Sequence, residues 1–251
     1  MPTHPAHAPF LLLSIRDEDE AADDEYLAVR RFGGLGPDDL HRVRLTKTPL
    51  GAIDLADWSG IILGGGPYNV SDAAESKSAT QQRAESELLD LIGRVVDADF
   101  PFLGCCYGVG TLGTVVGATI DRTYSEPVGA VTVSLTPAGR ADPLFAGVPD
   151  VFDAFGGHKE GATALPPDAV RLASSETCPV QAFRVGRNVY ATQFHPELDA
   201  DGICTRIDVY KEYGYFPPQA AEELKTSARQ RNTEHPPAIM KAFTKQYARP
   251  V

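Results

Sequence analysis

Short, uninterrupted apolar runs recur along the chain and predict strands that are buried on both faces. They occupy residues 10–15, residues 60–63 and the residues just before Gly104. These runs show no alternation of polar and apolar residues, which is typical of parallel sheets covered by helices. The second and third runs lead directly into glycine-containing turns. We therefore expect a parallel sheet with its functional residues at the carboxyl ends of the strands.

Amphipathic and alternating segments fill the intervals between these runs. Residues 78–99 place their apolar side chains on one broad face and predict a helix. Residues 16–25, with seven acids in ten residues, are interpreted as a solvated loop that leads into another helix. Shorter runs between residues 118 and 193 predict further strands, several of them antiparallel. Three more helices are predicted over residues 199–213, 217–231 and 238–247.

These elements predict a three-layer α/β fold with a mainly parallel central sheet, helices on both faces and a small antiparallel sheet. A chain of 251 residues is long enough for one such domain with an appendage. We expect residues 1–200 to form the main domain and residues 201–251 to form a helical extension packed on it.

Composition narrows the partners and the compartment. A net charge of -11 argues against nucleic acid or an anionic membrane as a partner, because the protein's field does not attract phosphate. The four cysteines lack the spacing of a zinc site or a disulfide framework. No apolar run reaches the length of a membrane span, and the N-terminus lacks a cationic region. We therefore expect a cytoplasmic protein with reduced thiols.

The segment Gly104-Cys105-Cys106-Tyr107-Gly108 has the arrangement of a nucleophile elbow, in which a strand ends, the chain turns sharply and a helix begins. A nucleophile in strained backbone needs small neighbours, and a helix N-terminus favours thiolate over thiol. Only Cys106 lies two residues from a glycine on both sides, so Cys106 is the candidate and Cys105 should face packing. A buried strand ending at a glycine turn, with two structural cysteines, explains this segment alone equally well.

Two further turns carry candidate chemistry. The run Gly64-Gly65-Gly66 follows a buried strand, and its backbone N–H groups can approach an anion or oxyanion; a plain tight turn is the alternative. His195 and Glu197 follow the last predicted strand and, being two apart on extended backbone, face the same side. A thiol nucleophile needs a base, and the base needs an orienting carboxylate. This pair suits both roles.

The three motifs together resemble a class I glutamine amidotransferase domain of the GMP-synthase-like, stand-alone kind. They lie at residues 63–67, 103–108 and 193–197, and the resemblance spans about residues 10–200. It implies a flavodoxin-like amidotransferase fold with the catalytic domain in residues 1–200. It also implies an enzyme that hydrolyses the side-chain amide of glutamine, or of another γ-glutamyl amide, through a cysteine thioester.

The same resemblance implies roles for individual residues. Cys106, His195 and Glu197 would form the catalytic triad. The backbone N–H of Tyr107, with that of Gly65 or Gly66, would form the oxyanion hole. Neither a cofactor nor a metal ion is implied.

A second group of residues is less closely tied to the family pattern. His158-Lys159-Glu160 matches a triplet common in stand-alone members, so His158 or Lys159 would meet a substrate carboxylate; a surface turn is the alternative. The family commonly carries a glutamine four residues after the nucleophile, where this chain has Gly110. The missing amide opens the pocket to γ-glutamyl compounds other than glutamine.

Three functions are therefore weighed. The first is glutamine hydrolysis with ammonia passed to a separate synthetase, because the chain shows no synthetase domain of its own. The second is a stand-alone γ-glutamyl hydrolase or transferase that acts on another amide. The third is a non-catalytic, amidotransferase-like regulatory protein, against which the complete triad of Cys106, His195 and Glu197 argues.

Overall fold

The computed structural model of the chain describes residues 7–250 and contains a nine-stranded sheet with helices on both faces. The strands are β1 (Phe10–Ser14), β2 (Leu40–Arg44), β3 (Gly60–Leu63), β4 (Phe102–Cys105), β5 (Thr119–Asp121), β6 (Glu126–Leu135), β7 (Val151–His158), β8 (Gly161–Ala164), β9 (Ala169–Ser174), β10 (Ala182–Val185) and β11 (Val189–Thr192). The helices are α1 (Asp19–Gly33), α2 (Ala79–Asp97), α3 (Tyr107–Val116), α4 (Pro137–Ala141), α5 (Ala200–Tyr210), α6 (Ala221–Arg229) and α7 (Pro237–Tyr247).

The main sheet has the order β2-β1-β3-β4-β11-β10-β9-β6-β7. The first five of these strands are parallel neighbours, and the remaining four continue the sheet with antiparallel pairings. The predicted small antiparallel sheet is present as β5 and β8, which pair apart from the main sheet. The predicted fold class is thereby confirmed.

Side chains that alternate along β1 divide the apolar core into two layers. Phe10 and Leu12 pack in a cluster with Phe243 of α7, whereas Leu11 and Leu13 pack in a cluster with Leu88 of α2. All of these side chains are buried. Both faces of the strand are thus covered, which explains its uninterrupted apolar sequence.

The acidic segment before and within α1 differs from its prediction. Asp19 and Asp23 are exposed as expected, but Arg16 and Glu25 are only 3% and 0% exposed. The prediction of a solvated segment is wrong for these two residues. The physical reason is that they pair with each other, with Arg16 Nε donating to Glu25 Oε1 at 2.9 Å.

The C-terminal helices return to the body of the protein. Thr244 of α7 donates its hydroxyl to the carbonyl of Gly33 at the end of α1, at 2.7 Å. α5 lies against both α1 and α6. The division into units 1–200 and 201–251 stays a prediction, and its residues 1–6 and 251 lie outside the described part of the chain. Within residues 7–250, no helix has the length and apolar character needed to cross a membrane.

β4 and α3 approach each other closely where they meet at the elbow. A Cβ on Gly104 would lie 2.7 Å from the Cα of Gly108 and 3.2 Å from its carbonyl carbon. Because both of these are backbone atoms, rotation of a side chain cannot relieve the overlap. The turn therefore requires a residue without a side chain at position 104.

We expect Gly104→Ala to lower the free energy of unfolding by roughly 1–3 kcal/mol, the usual cost of forcing an extra carbon into a packed site. Gly93→Ala is the matched control, because no atom lies within 4 Å of a Cβ added at this position in α2. It should raise stability by up to about 1 kcal/mol through helix propensity. Urea unfolding of both variants measures the difference. A Gly104→Ala protein as stable as the Gly93→Ala protein would contradict the close approach.

Candidate active site

Cys106 lies between the end of β4 and the start of α3, in a backbone conformation that non-glycine residues rarely adopt. Its φ and ψ are 55° and -85°. Among residues 7–250, Asp99 is the only other non-glycine residue with positive φ. Strained backbone at the exposed tip of a strand–turn–helix unit is the geometry of a nucleophile elbow. It turns the Cys106 side chain out of the sheet.

The two adjacent cysteines lie in different surroundings. Cys105 is 1% exposed and packs in the apolar core. Cys106 borders two cavities. Burial raises the pKa of the Cys106 thiol to about 12, although the nearby charge of Arg16 opposes this rise. The thiol of residue 106 is therefore protonated at neutral pH and needs a base to become a nucleophile.

His195 follows β11 and is held by a carboxylate. Its Nδ1 lies 2.7 Å from Glu197 Oε1 and donates to it, which leaves Nε2 as the acceptor. Burial lowers the pKa of His195 against the opposing effect of Glu197, so the imidazole is neutral at neutral pH. Burial alone would raise the pKa of Glu197, but its contacts with His195 and Arg206 hold that pKa well below the usual range.

The glycine run after β3 is the surface on which these groups meet. A Cβ on Gly65 would lie 2.5 Å from His195 Cε1 and 3.2 Å from Cys106 Cβ. The imidazole and the cysteine therefore lie against the same glycine. A Cβ on Gly66 would lie 2.6 Å from Ile15 Cγ1, so this glycine is also required by packing.

The predicted oxyanion donors are available. Among residues 7–250, the backbone N–H groups of Gly65, Gly66 and Tyr107 have no hydrogen-bond acceptor. Tyr107 is the first residue of α3, where an N–H has no partner within the helix and the helix dipole favours negative charge. These groups can stabilise an anion next to Cys106.

Arg206 of α5 also contacts the His195–Glu197 pair. Its Nη1 lies 3.2 Å from Glu197 Oε1 and 3.1 Å from His195 Nδ1, and its Nη2 also donates to Glu197 Oε1 at 3.2 Å. The guanidinium is buried. A cation at this place favours the ionised carboxylate and disfavours the imidazolium.

Glu25 links Arg206 to the residues at the end of β1. Its Oε1 lies 4.0 Å from Arg206 Nη2 and accepts from Arg16, while its Oε2 accepts from the hydroxyl of Ser14 at 2.8 Å. Two cations and two carboxylates, including Glu197, thus compensate each other inside the protein. A Cβ on Gly64 would lie 2.5 Å from the Glu25 carboxyl carbon, so the first glycine of the run makes room for this network.

Sequence reasoning missed this network and one more polar residue. Arg206 and Arg16 belong to none of the three motifs, and Glu25 was indistinguishable from its acidic neighbours. Gln193 was noted only as part of a motif, yet its Nε2 lies 3.9 Å from Cys106 Sγ. The Gln193 Oε1 is buried without a hydrogen-bond partner among residues 7–250. Only its position two residues before His195 pointed to the site.

Comparison with known proteins agrees with this geometry. The family model for class-I glutamine amidotransferases matches residues 30–202. The chain belongs to the class-I glutamine amidotransferase family. The resemblance and the enzyme class predicted from the motifs are thereby confirmed.

Among the curated relatives of this family are GMP synthases. The glutamine-hydrolysing GMP synthase of Edwardsiella ictaluri is 32% identical over 56% of this chain, and the match spans 25% of that protein. One subunit of the glutamine-hydrolysing GMP synthase of Methanoculleus marisnigri is 31% identical over 58% of this chain and 75% of its own length. The chain thus corresponds to only a quarter of the first relative and to most of the second.

Solved structures of amidotransferases share the fold. The glutamine amidotransferase of Thermotoga maritima superposes with a TM-score of 0.72 and 22% identity, over 96% of this chain and 98% of that one. The glutamine amidotransferase of Methylobacillus flagellatus gives a TM-score of 0.73 and 17% identity, over 97% and 96% of the two chains.

The departure from the family pattern at Gly110 has a physical explanation. A Cβ on this residue would lie 2.6 Å from Glu160 Oε1 and 2.6 Å from Val70 Cγ2. The Glu160 carboxylate is held there by the backbone N–H groups of Val70 and Ser71, at 2.9 and 2.8 Å. Glu160 and Val70 therefore fill the space that a longer side chain at residue 110 would take.

His158 and Lys159 lie near the same cavity in different states. His158 is buried, with Nε2 2.9 Å from Glu126 and Nδ1 2.8 Å from the carbonyl of Glu160. Both ring nitrogens are engaged, so we leave His158 out of the proposed substrate contacts. Lys159 places its Nζ 4.3 Å from the centre of the Tyr215 ring and borders the cavity next to Cys106. Its role toward a substrate carboxylate stays a prediction.

The contact of Arg206 with the imidazole predicts a shift of the pH profile. The free enzyme needs a neutral His195 as base, so kcat/KM for glutamine should fall only below the ordinary imidazole pKa of about 6.5. Arg206→Met removes the cation that lowers the pKa of His195. The acidic limb should therefore move to higher pH, and Arg206→Lys should restore part of the shift.

Arg31→Met is the matched control, because Arg31 also pairs with a residue at α5, the carboxylate of Asp199, but lies at the surface. Its pH profile should match that of the unchanged protein. Loss of stability in Arg206→Met, with the acidic limb in its original place, would mean that Arg206 only supports the fold.

Proposed function

We propose that the chain hydrolyses the side-chain amide of glutamine, or of a related γ-glutamyl amide, through a thioester on Cys106, with His195 and Glu197 completing the triad. One observation carries the proposal: Cys106 at its strained elbow and the carboxylate-held imidazole of His195 lie against the same residue, Gly65. The roles of the individual residues follow from chemistry and from their surroundings.

Acylation begins with both partners neutral. As the sulfur of Cys106 attacks the amide carbon, its proton passes to Nε2 of His195. The carbonyl oxygen becomes an oxyanion that accepts from the N–H of Tyr107 and from one of the glycines 65 and 66, each donor stabilising the transition state by about 3–4 kcal/mol. His195 then gives the proton to the amide nitrogen, the C–N bond breaks, and the amine leaves.

Deacylation reverses these roles with water as the nucleophile. His195 takes a proton from water, whose oxygen attacks the thioester carbon, and the same two N–H groups hold the second oxyanion. The C–S bond breaks, and the sulfur takes the proton back from the imidazole. With glutamine as substrate, the products are glutamate and ammonia. Glu197 keeps the imidazole in the tautomer that both steps need.

The names of the relatives suggest a partner for this reaction. Several are described as one lettered subunit of a glutamine-hydrolysing GMP synthase, which implies a further subunit in those proteins. A separate synthetase that accepts ammonia is the corresponding partner for this chain. Release of ammonia from glutamine by the isolated chain tests hydrolysis without that partner.

The adjacent cysteines provide a direct test of the nucleophile. Cys106→Ala should lower kcat by about 10⁴-fold or more, as expected when the nucleophile of a coupled triad is removed. Cys105→Ala should keep kcat within a few fold and lower the free energy of unfolding by roughly 1 kcal/mol, because it removes only one buried atom. Equal retention of activity in both variants would refute the assignment.

The covalent intermediate can be measured separately from turnover. Acid quenching during turnover of glutamine should leave a γ-glutamyl group on Cys106, seen by mass spectrometry of the intact protein and of its peptides. The Cys106→Ala protein should carry no such group, whereas Cys105→Ala should carry it. Turnover with no adduct on any cysteine would argue for direct attack by water.

A further inference from the structure

Two cavities meet at Cys106, and they differ in what surrounds them. The His-side cavity, bordered by Cys106 and His195, has a volume of about 60 Å³. The Glu-side cavity, bordered by Cys106, Tyr107, Glu160 and Gln193, has a volume of about 20 Å³. A substrate attacked by the sulfur must place its two ends in these two directions.

The position of His195 decides which end goes where. The imidazole must reach the amide nitrogen to protonate it, so the leaving amine lies on the side of His195. His195 borders only the His-side cavity of the two. The acyl group then extends into the polar Glu-side cavity, where Glu160 and Gln193 offer acceptor oxygens.

The walls of the His-side cavity are mostly apolar. Val128, Leu198, Ile203, Ile207 and Phe216 line it. Ammonia is small and polar and makes no use of such walls. A hydrocarbon group attached to the leaving nitrogen would be removed from water there, which favours its binding.

Two charged residues also border this cavity, and both are compensated. Arg16 donates to Glu25, and Arg206 donates to Glu197. Their charges are thus already neutralised by buried carboxylates. They leave the cavity with an apolar rather than an anion-binding character.

Much of this wall is built by the chain beyond the family-model match. That match ends at residue 202, whereas Ile203, Arg206, Ile207 and Tyr210 of α5, and Phe216 after it, lie downstream. The amidotransferase motifs are thus complete without these residues. Their contribution is to close the leaving-group side of the site.

We propose that the His-side cavity receives the hydrocarbon part of a leaving amine, so that the preferred substrates are γ-glutamyl amides of short alkyl amines rather than glutamine. This rests on the proposed thioester mechanism. The C–N bond of the amide breaks, the nitrogen leaves as the alkyl amine with the proton from His195, and the γ-glutamyl group stays on Cys106 until water releases glutamate.

The size of the cavity limits the amine. One water needs about 10–15 Å³ of such a cavity, so 60 Å³ holds a few small groups. An ethyl group therefore fits, and a hexyl group does not. Each buried methylene contributes about 4-fold to kcat/KM, so the γ-glutamyl ethylamide should exceed glutamine by about 15-fold.

The test compares kcat/KM for glutamine with those for the γ-glutamyl amides of methylamine, ethylamine, hexylamine and β-alanine. We expect the ethylamide to be best and the hexylamide to be poorer than the ethylamide. Glutamine as the best substrate would overturn the proposal, and so would the β-alanine amide, which would indicate an anion-binding cavity. No turnover and no γ-glutamyl adduct with any substrate would instead refute the proposed function itself.

A pair of valines in β6 locates the effect. Val128 lines the cavity, and Val131 on the same strand does not. Val128→Ala enlarges the cavity and should raise the ratio of kcat/KM for the propylamide to that for the ethylamide by about 4-fold, the effect of one further buried methylene. Val131→Ala should leave this ratio unchanged. An equal ratio in the two variants would place the alkyl group elsewhere and overturn the proposal.

Discussion

The Glu197 carboxylate is the group on which the candidate site depends. It accepts from His195 and from Arg206, and it is buried together with both. A buried carboxylate is tolerated only when its charge is paired, and removal of one partner of such a pair typically costs about 3–5 kcal/mol. The orientation of the imidazole and the packing of α5 are therefore two consequences of one electrostatic requirement.

Close backbone approach is the second constraint, and it explains where glycine occurs. Gly64, Gly65 and Gly66 follow one another because their missing side chains make room for Glu25, His195 and Ile15 in turn. A loop that only needed flexibility would not require three consecutive contacts of this kind. The glycine run is thus part of the site's geometry as well as a source of backbone donors.

Local pattern predicted the framework well, because continuous apolar strands and glycine turns leave a signature within a few residues. The elbow around Cys106 and the pair of His195 and Glu197 belong to that class. The ion network does not, since Glu25 and Arg206 are far apart in sequence and become partners only through the packing of α1 against α5. Glu25 lies among six other acids, and only burial distinguishes it from them.

α5 connects the chemistry of the triad with the shape of the leaving-group side. Ile203, Arg206, Ile207 and Tyr210 follow the helical spacing that places residues on one face, and all four border the His-side cavity. The helix cannot shift to open the apolar wall without moving the guanidinium away from Glu197. Access for a substrate must therefore come from the segment after α5, where Tyr215 and Phe216 complete the wall, rather than from the helix itself.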